Sequence, residues 1–213
     1  MSQVRESALL IPVFNDWKSA KQLLRELEVE QGVNPRDFTV FLIDDASTDV
    51  MPDDFDFSAS SFDLRIVRLN QNVGHQRAIF EGLRIISRLG FQRVVVMDGD
   101  GEDTPSGASL LLSAFGSQGD HVVVAKRGLR KEGWSFRIFY WAHKVVFRFL
   151  VGKRLDFGNF SVLPMPFVHS LVSSSDATTN LPGTILKLGK PIVRVKVDRG
   201  SRYFGQSKMN FEK

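Results

Sequence analysis

The stretch Arg93 to Pro105, Arg-Val-Val-Val-Met-Asp-Gly-Asp-Gly-Glu-Asp-Thr-Pro, constrains this chain more than any other. Val94 to Met97 form a short, continuously apolar run of the kind that is buried on both faces of a sheet. It ends abruptly in Asp98, Asp100, Glu102 and Asp103, four acids within six residues. Carboxylates this close repel one another unless water or a hard cation screens them. Gly99 and Gly101 leave the backbone open to a ligand. The pattern predicts a buried strand that delivers acids to one edge of a sheet, with a metal site favoured over a bland acidic loop.

The preceding residues repeat the theme. Ala8 to Phe14 reads as a first apolar strand, and Asn15 or Asp16 can cap the helix over Trp17 to Glu30, which places Leu23, Leu24 and Leu27 on one face. A second buried strand over Thr39 to Ile43 ends in Asp44-Asp45-Ala46-Ser47-Thr48-Asp49, a second acid-tipped terminus. Residues 50 to 63 read as a polar surface connection. A strand over Leu64 to Leu69, a turn at Asn70 to Gly74, and a helix from Gln76 to Leu89 stopped by Gly90 follow. After the acid-tipped strand come a helix over Ser106 to Phe115 and a fifth strand over His121 to Ala125. Strand and helix alternate at a spacing that argues for a mostly parallel α/β sheet with helices on both faces. Ligands in such sheets sit at the carboxyl ends of the strands, so both acid clusters are expected on one edge.

Beyond Ala125 the composition changes. Residues 1–125 hold 11 Lys/Arg against 19 Asp/Glu, whereas residues 126–213 hold 17 against 5, so charges of −8 and +12 sum to the net +4. An acidic half suits a metal and neutral polar groups; a basic half suits phosphates or anionic lipid. Trp134 to Val151 mixes aromatics with Arg137, His143, Lys144 and Arg148, a pattern shared by a helix in a membrane interface and a core helix with cations at its rim. The segment at Asp156 to Ser161 reads as a strand or turn, Pro164 and Pro166 bracket the start of a short helix, and Ile192 to Val197 is a last strand. At 213 residues the whole fits a single domain, 1–213. With no Cys in the chain, disulfides, thiolate metal sites and Cys nucleophiles are excluded. No signal peptide and no apolar run near the ~18 residues of a membrane span are read from the sequence. The His residues lack zinc-ligand spacing.

These residues, taken together, resemble glycosyltransferase family 2, and within it the polyprenyl-phosphate glycosyltransferases of the dolichyl-phosphate mannosyltransferase kind. The resemblance rests on Ile-Pro-Val-Phe-Asn-Asp at 11–16, Asp-Asp-Ala-Ser-Thr-Asp at 44–49, Asn72-Val73-Gly74 with Ala78 and Gly82, and Asp98-Gly-Asp100-Gly-Glu102-Asp103-Thr-Pro105. It continues through Gly158-Asn159-Phe160 and Arg199-x-x-Arg202-x-x-Gly205-x-Ser207-Lys208, covering nearly the whole chain in the family's order.

The resemblance implies a nucleotide-binding sheet of the glycosyltransferase A type, with residues 1–125 as the nucleotide-sugar and metal half and residues 126–213 as the acceptor and membrane half. Pro12, Phe14, Asn15, Asp44, Asp45, Asn72 and Asp98 would hold the nucleotide sugar, only one acid of the Asp44/Asp45 pair being needed to cap a turn. Asp98, Asp100 and Glu102 would carry Mg²⁺ or Mn²⁺; many relatives have Gln at the position of Glu102. Arg127, Arg130, Ser135, Arg137, Ser207 and Lys208 would bind the acceptor phosphate. Asp156, Asn159 and Arg202 would serve the transfer step, Asn159 standing where relatives often have Asp. A saccharide hydroxyl needs a general base, and a lipid phosphate, already ionised, does not.

The expected activity is inverting transfer from a UDP- or GDP-sugar to polyprenyl phosphate at the cytoplasmic membrane face. A saccharide acceptor, or a non-enzymatic membrane-surface module, is the rival. Nucleic acid is not an expected partner, since the front-edge acids would repel its phosphates. A homo-oligomer stays open. Polyprenyl transferases often continue into transmembrane helices after the Ser-Lys motif; here attachment falls to such segments or to the aromatic stretch.

Overall fold

Why the apolar runs become central strands is visible in their surroundings: every residue of β1 (Ser7–Val13) and β2 (Phe38–Asp44) is buried. The computed structural model describes residues 6–30, 38–58, 60–118, 121–127, 156–174 and 180–204. β1 pairs in parallel with β2, from Ser7 opposite Phe38 to Val13 opposite Asp44, and on its other side with β4 (Arg93–Val96). β3 (Asp63–Arg68) lies outside β2. The sheet order is β3-β2-β1-β4-β6-β5-β7, with β5 at Val122–Arg127, β6 at Ser161–Pro164 and β7 at Ile192–Val197. Among the described strands only β6 runs antiparallel, against both β4 and β5; β5 and β7 are parallel. The expected mostly parallel sheet is thus observed.

Two apolar layers cover it. On one face α1 (Trp17–Val29) buries Trp17, Ala20, Leu23, Leu24 and Leu27, and α3 (Pro105–Gln118) buries Ala108 and Leu111, against Leu9, Ile11, Val95, Met97 and Val123. On the other, α2 (His75–Ile86), α4 (Met165–Val172) and α5 (Leu181–Leu188) pack over Leu10, Ile43, Val94, Val96 and Val124. α2 approaches the sheet at Gly82, where a Cβ would lie 2.6 Å from Leu10 Cδ1 and 2.8 Å from Ile43 Cγ1.

Several local expectations change. Residues 50–63 are not a polar surface connection, because Phe55 and Phe62 are 8% and 5% exposed and Phe55 meets Trp17 edge-on at 5.5 Å. Neither side chain proposed as the cap of α1 is seen to act so: Asp16 makes no side-chain cap bond, and the Asn15 amide oxygen accepts from Thr48 N and Asp49 N. α2 ends at Ile86 rather than Leu89, its last turn tightening through Arg88 N to Ile85 O and Leu89 N to Ile86 O before Gly90 at φ +77. α5 was not foreseen; Asn180 caps it, accepting from Gly183 N at 3.2 Å. The aromatic stretch Trp134 to Val151 lies outside the described residues. No helix among the described residues is long and apolar enough to cross a membrane.

Candidate active site at the carboxyl edge of the sheet

Because β1, β2 and β4 are parallel, the residues that follow them emerge together. Both acid clusters therefore occupy one edge, as their positions after apolar strands implied. The N-terminus of α2, the turn before β6 and the segment after β7 complete this edge.

The β1 and β2 termini are stitched by side chains. Asn15, in the left-handed region at φ 50, gives its amide oxygen to Thr48 N and Asp49 N and its amide nitrogen to Thr48 Oγ1, while its own N–H donates to Ser47 Oγ. Asn tolerates that backbone better than most residues. Asp44, 1% exposed, accepts from Ser47 N at 2.8 Å and lies 3.7 Å from Arg68 Nε; Arg68 also donates to Ser47 O. Asp45, 2% exposed, accepts from Val73 N at 2.7 Å and Gly74 N at 2.9 Å, and Asn72 donates to the Asp45 carbonyl. The expectation that one acid suffices for the turns is corrected: each carboxylate holds a different one, since two backbone breaks meet here with unpaired N–H groups. Pro12 is a buried strand residue, in register with Ile43. Phe14 does reach the rim, 41% exposed.

In the second cluster the acids have distinct partners. Asp103 Oδ2 accepts from Asp98 N at 2.9 Å and shapes the turn. Asp98 Oδ1 lies 3.2 Å from His75 Nε2 at the start of α2. Asp100 Oδ1 accepts from Glu102 N, its Oδ2 lies 2.6 Å from Arg202 Nη2, and Glu102 is paired with Arg199. An all-oxygen acidic set suits a hard divalent ion. The geometry does not gather it: among the described residues no three Asp, Glu or His side chains stand at metal-binding spacing. Of the expected set Asp98, Asp100 and Glu102, two are already paired with guanidinium groups, Asp100 with Arg202 and Glu102 with Arg199.

Burial raises the Asp100 pKa, and the charges of Asp98 and Glu102 add to it against the Glu102 N–H and Arg202. For His75 burial opposes protonation, yet the hydrogen bond and charge of Asp98, with Asp100 and Asp103 beyond, raise the pKa above its ordinary value. Burial and the Glu26 carboxylate raise that of Tyr203.

Asn159 joins this group: its Nδ2 is 3.1 Å from His75 Nε2, and its Oδ1 accepts from Gln76 Nε2, whose Oε1 accepts from Leu181 N. Asp156 does not; it pairs with Arg194 of β7 at 3.1 Å. The reason is topological, as Asp156 precedes β6 on the side where β7 presents its cations. Arg127 is the last residue of β5, at the same carboxyl edge, and its side chain lies outside the described residues, as do Arg130, Ser135, Arg137, Ser207 and Lys208. Sequence reasoning weighed His75 only as a zinc ligand and passed over Arg68, Gln76 and Tyr203. The position of His75 at a helix start on this edge was the available signal for it; the others are placed by contacts distant in sequence.

The model of the family described as "Glycosyl transferase family 2" matches residues 8–169. Undecaprenyl-phosphate 4-deoxy-4-formamido-L-arabinose transferase of Enterobacter sp. (strain 638) is 25% identical over 215 residues, with 98% of this chain and 64% of that protein covered. The mannosyltransferase PcManGT from Pyrobaculum calidifontis, in complex with GDP-Man and Mn²⁺, is similar at TM-score 0.64 and 14% identity, over 95% of this chain and 58% of that one. S. aureus TarS 1-349 in complex with UDP is similar at TM-score 0.61 and 13% identity, over 91% and 59%. The chain thus spans about three fifths of the length of these relatives, and the structural likeness carries the glycosyltransferase A fold.

Proposed function

The chain belongs to glycosyl transferase family 2, and from that premise we propose that it is an inverting transferase moving a sugar from a UDP- or GDP-sugar to polyprenyl phosphate at the cytoplasmic face of a membrane. The observation that carries this reading is the convergence of Asp44 to Asp49 and Asp98 to Asp103 on the carboxyl edge of one parallel sheet, where nucleotides bind in folds of this kind. The named acceptor of the Enterobacter relative supports a lipid phosphate. The nucleotides bound by the two structural neighbours support a nucleotide-sugar donor.

In this reading Phe14 stacks on the base, and the Asn15 and Asp45 clamps hold the loops that line it. The acceptor phosphate oxygen attacks the anomeric carbon on the face opposite the nucleoside diphosphate; the new C–O bond forms as the bond to the diphosphate oxygen breaks. No proton has to leave an ionised phosphate, which agrees with a neutral Asn159 amide engaged by Gln76 and His75, and with Asp156 paired to Arg194. Asp98 and Asp100 would hold Mg²⁺ or Mn²⁺, which when bound neutralises the departing diphosphate. Arg127, Arg130, Ser135, Arg137, Ser207 and Lys208 are assigned to the acceptor phosphate, Arg being suited to bidentate contact.

Sugar transfer to polyprenyl phosphate and to free oligosaccharides, across a panel of nucleotide sugars, tests this. Transfer to the lipid phosphate is expected; transfer to oligosaccharide alone would replace the acceptor. No metal-enhanced binding of UDP or GDP by calorimetry would remove the metal-assisted donor site.

A further inference from the structure

Asp100 and Glu102 are held by side chains of one short segment, residues 198–204. That segment is fastened along its length. Gly200 N donates to Glu102 O at 3.0 Å, Tyr203 N to Asp100 O at 2.9 Å, and Tyr203 OH to Glu26 Oε2 at 2.5 Å. The approach is as close as backbone permits: a Cβ on Gly200 would lie 2.2 Å from Gly101 O, and one on Gly101, at φ +93, would lie 2.7 Å from the Tyr203 ring. Two guanidinium groups are thereby seated on two of the acids that a divalent ion would use.

Resting on the reading that Asp98 and Asp100 take such an ion, we propose that residues 198–204 are a strap whose Arg199 and Arg202 compete with the metal for the acidic loop. The physical reason is exclusion by like charge. Arg202 Nη2 is 2.6 Å from Asp100 Oδ2, and a cation bonded to that carboxylate at about 2.0–2.6 Å would stand beside the guanidinium with little water between them. Without metal the arginines relieve the mutual repulsion of Asp98, Asp100 and Glu102; on metal entry they are displaced and become available to phosphate oxygens at the same edge. The strap thus links metal binding to the exposure of two cations.

The test is Mn²⁺ binding to the full chain without nucleotide, read from the electron paramagnetic resonance signal of free Mn²⁺. Arg202→Met is expected to tighten Mn²⁺ by at least about fivefold, the low end of typical coupling between sites, with Arg202→Lys close to wild type. Independently, trypsin digestion of the wild-type chain followed by mass spectrometry is expected to release the peptide ends at Arg199 and Arg202 faster with Mn²⁺ than in NaCl of equal ionic strength. Mn²⁺ binding to wild type with no tightening in Arg202→Met, or unchanged cleavage at both arginines, overturns the strap while leaving the metal site standing. No Mn²⁺ binding to any of the three proteins overturns the metal reading itself, and the competition with it.

Discussion

Asp45 separates a scaffold role from a ligand role within one residue. Its carboxylate, 2% exposed, accepts from Val73 N at 2.7 Å and from Gly74 N at 2.9 Å, so it fixes the turn that launches α2. In Asp45→Asn one oxygen remains to accept one N–H, while the new amide nitrogen faces the other as a second donor. A hydrogen bond to a charged group contributes about 1.5–3 kcal/mol, and a buried donor left without an acceptor costs about 1–3 kcal/mol. Because these overlap, the substitution should cost about 2–4 kcal/mol, and Asp45→Ala, which strands both N–H groups, about 3–5 kcal/mol. Against a domain stability of about 5–15 kcal/mol that is a large fraction. Urea unfolding followed by circular dichroism reads it as a lowered midpoint with an unchanged slope. An Asp45→Asn protein within 0.5 kcal/mol of wild type (about the noise expected of a neutral surface change) but defective in UDP or GDP binding would refute the scaffold account and make Asp45 a nucleotide contact alone.

Gly82→Ala is expected to destabilise by about 1–3 kcal/mol through overpacking, because its Cβ would fall 2.6 Å from Leu10 Cδ1; urea unfolding measures it. The His75 imidazole should titrate above 6.5 in the metal-free protein by NMR. Its folded pKa is the raised one, so its stabilising contribution is complete below 6.5 and is lost as pH rises through the folded value. His75→Gln should therefore flatten the fall in stability over that window. Phe14→Ala should weaken UDP or GDP binding by about tenfold by calorimetry, one base stacking contact being worth about 1–3 kcal/mol. Since the ring is 41% exposed, its effect on unfolding should stay under about 1 kcal/mol.

The order of strands and helices, their parallel arrangement and the shared edge of the two acid clusters are local in origin. Apolar runs at 8–14, 39–43 and 94–97 are too continuous for any but doubly covered strands, and parallel crossovers then put their carboxyl ends together. The composition of 50–63 misled, because two buried aromatics count for more in packing than the surrounding polar residues do. Which partner each acid takes could not be read the same way. Asn15 clasps residues 33 and 34 positions away, Gln76 joins Asn159 and Leu181 at separations of 83 and 105, and Tyr203 reaches Glu26 across 177. Arg93 to Pro105 determined by sequence alone that acids would crowd one edge of a sheet. That Asp100 and Glu102 meet arginines there was decided only when β7 delivered residues 198–204 over the loop, since charge pairing is set by distance in space and not along the chain.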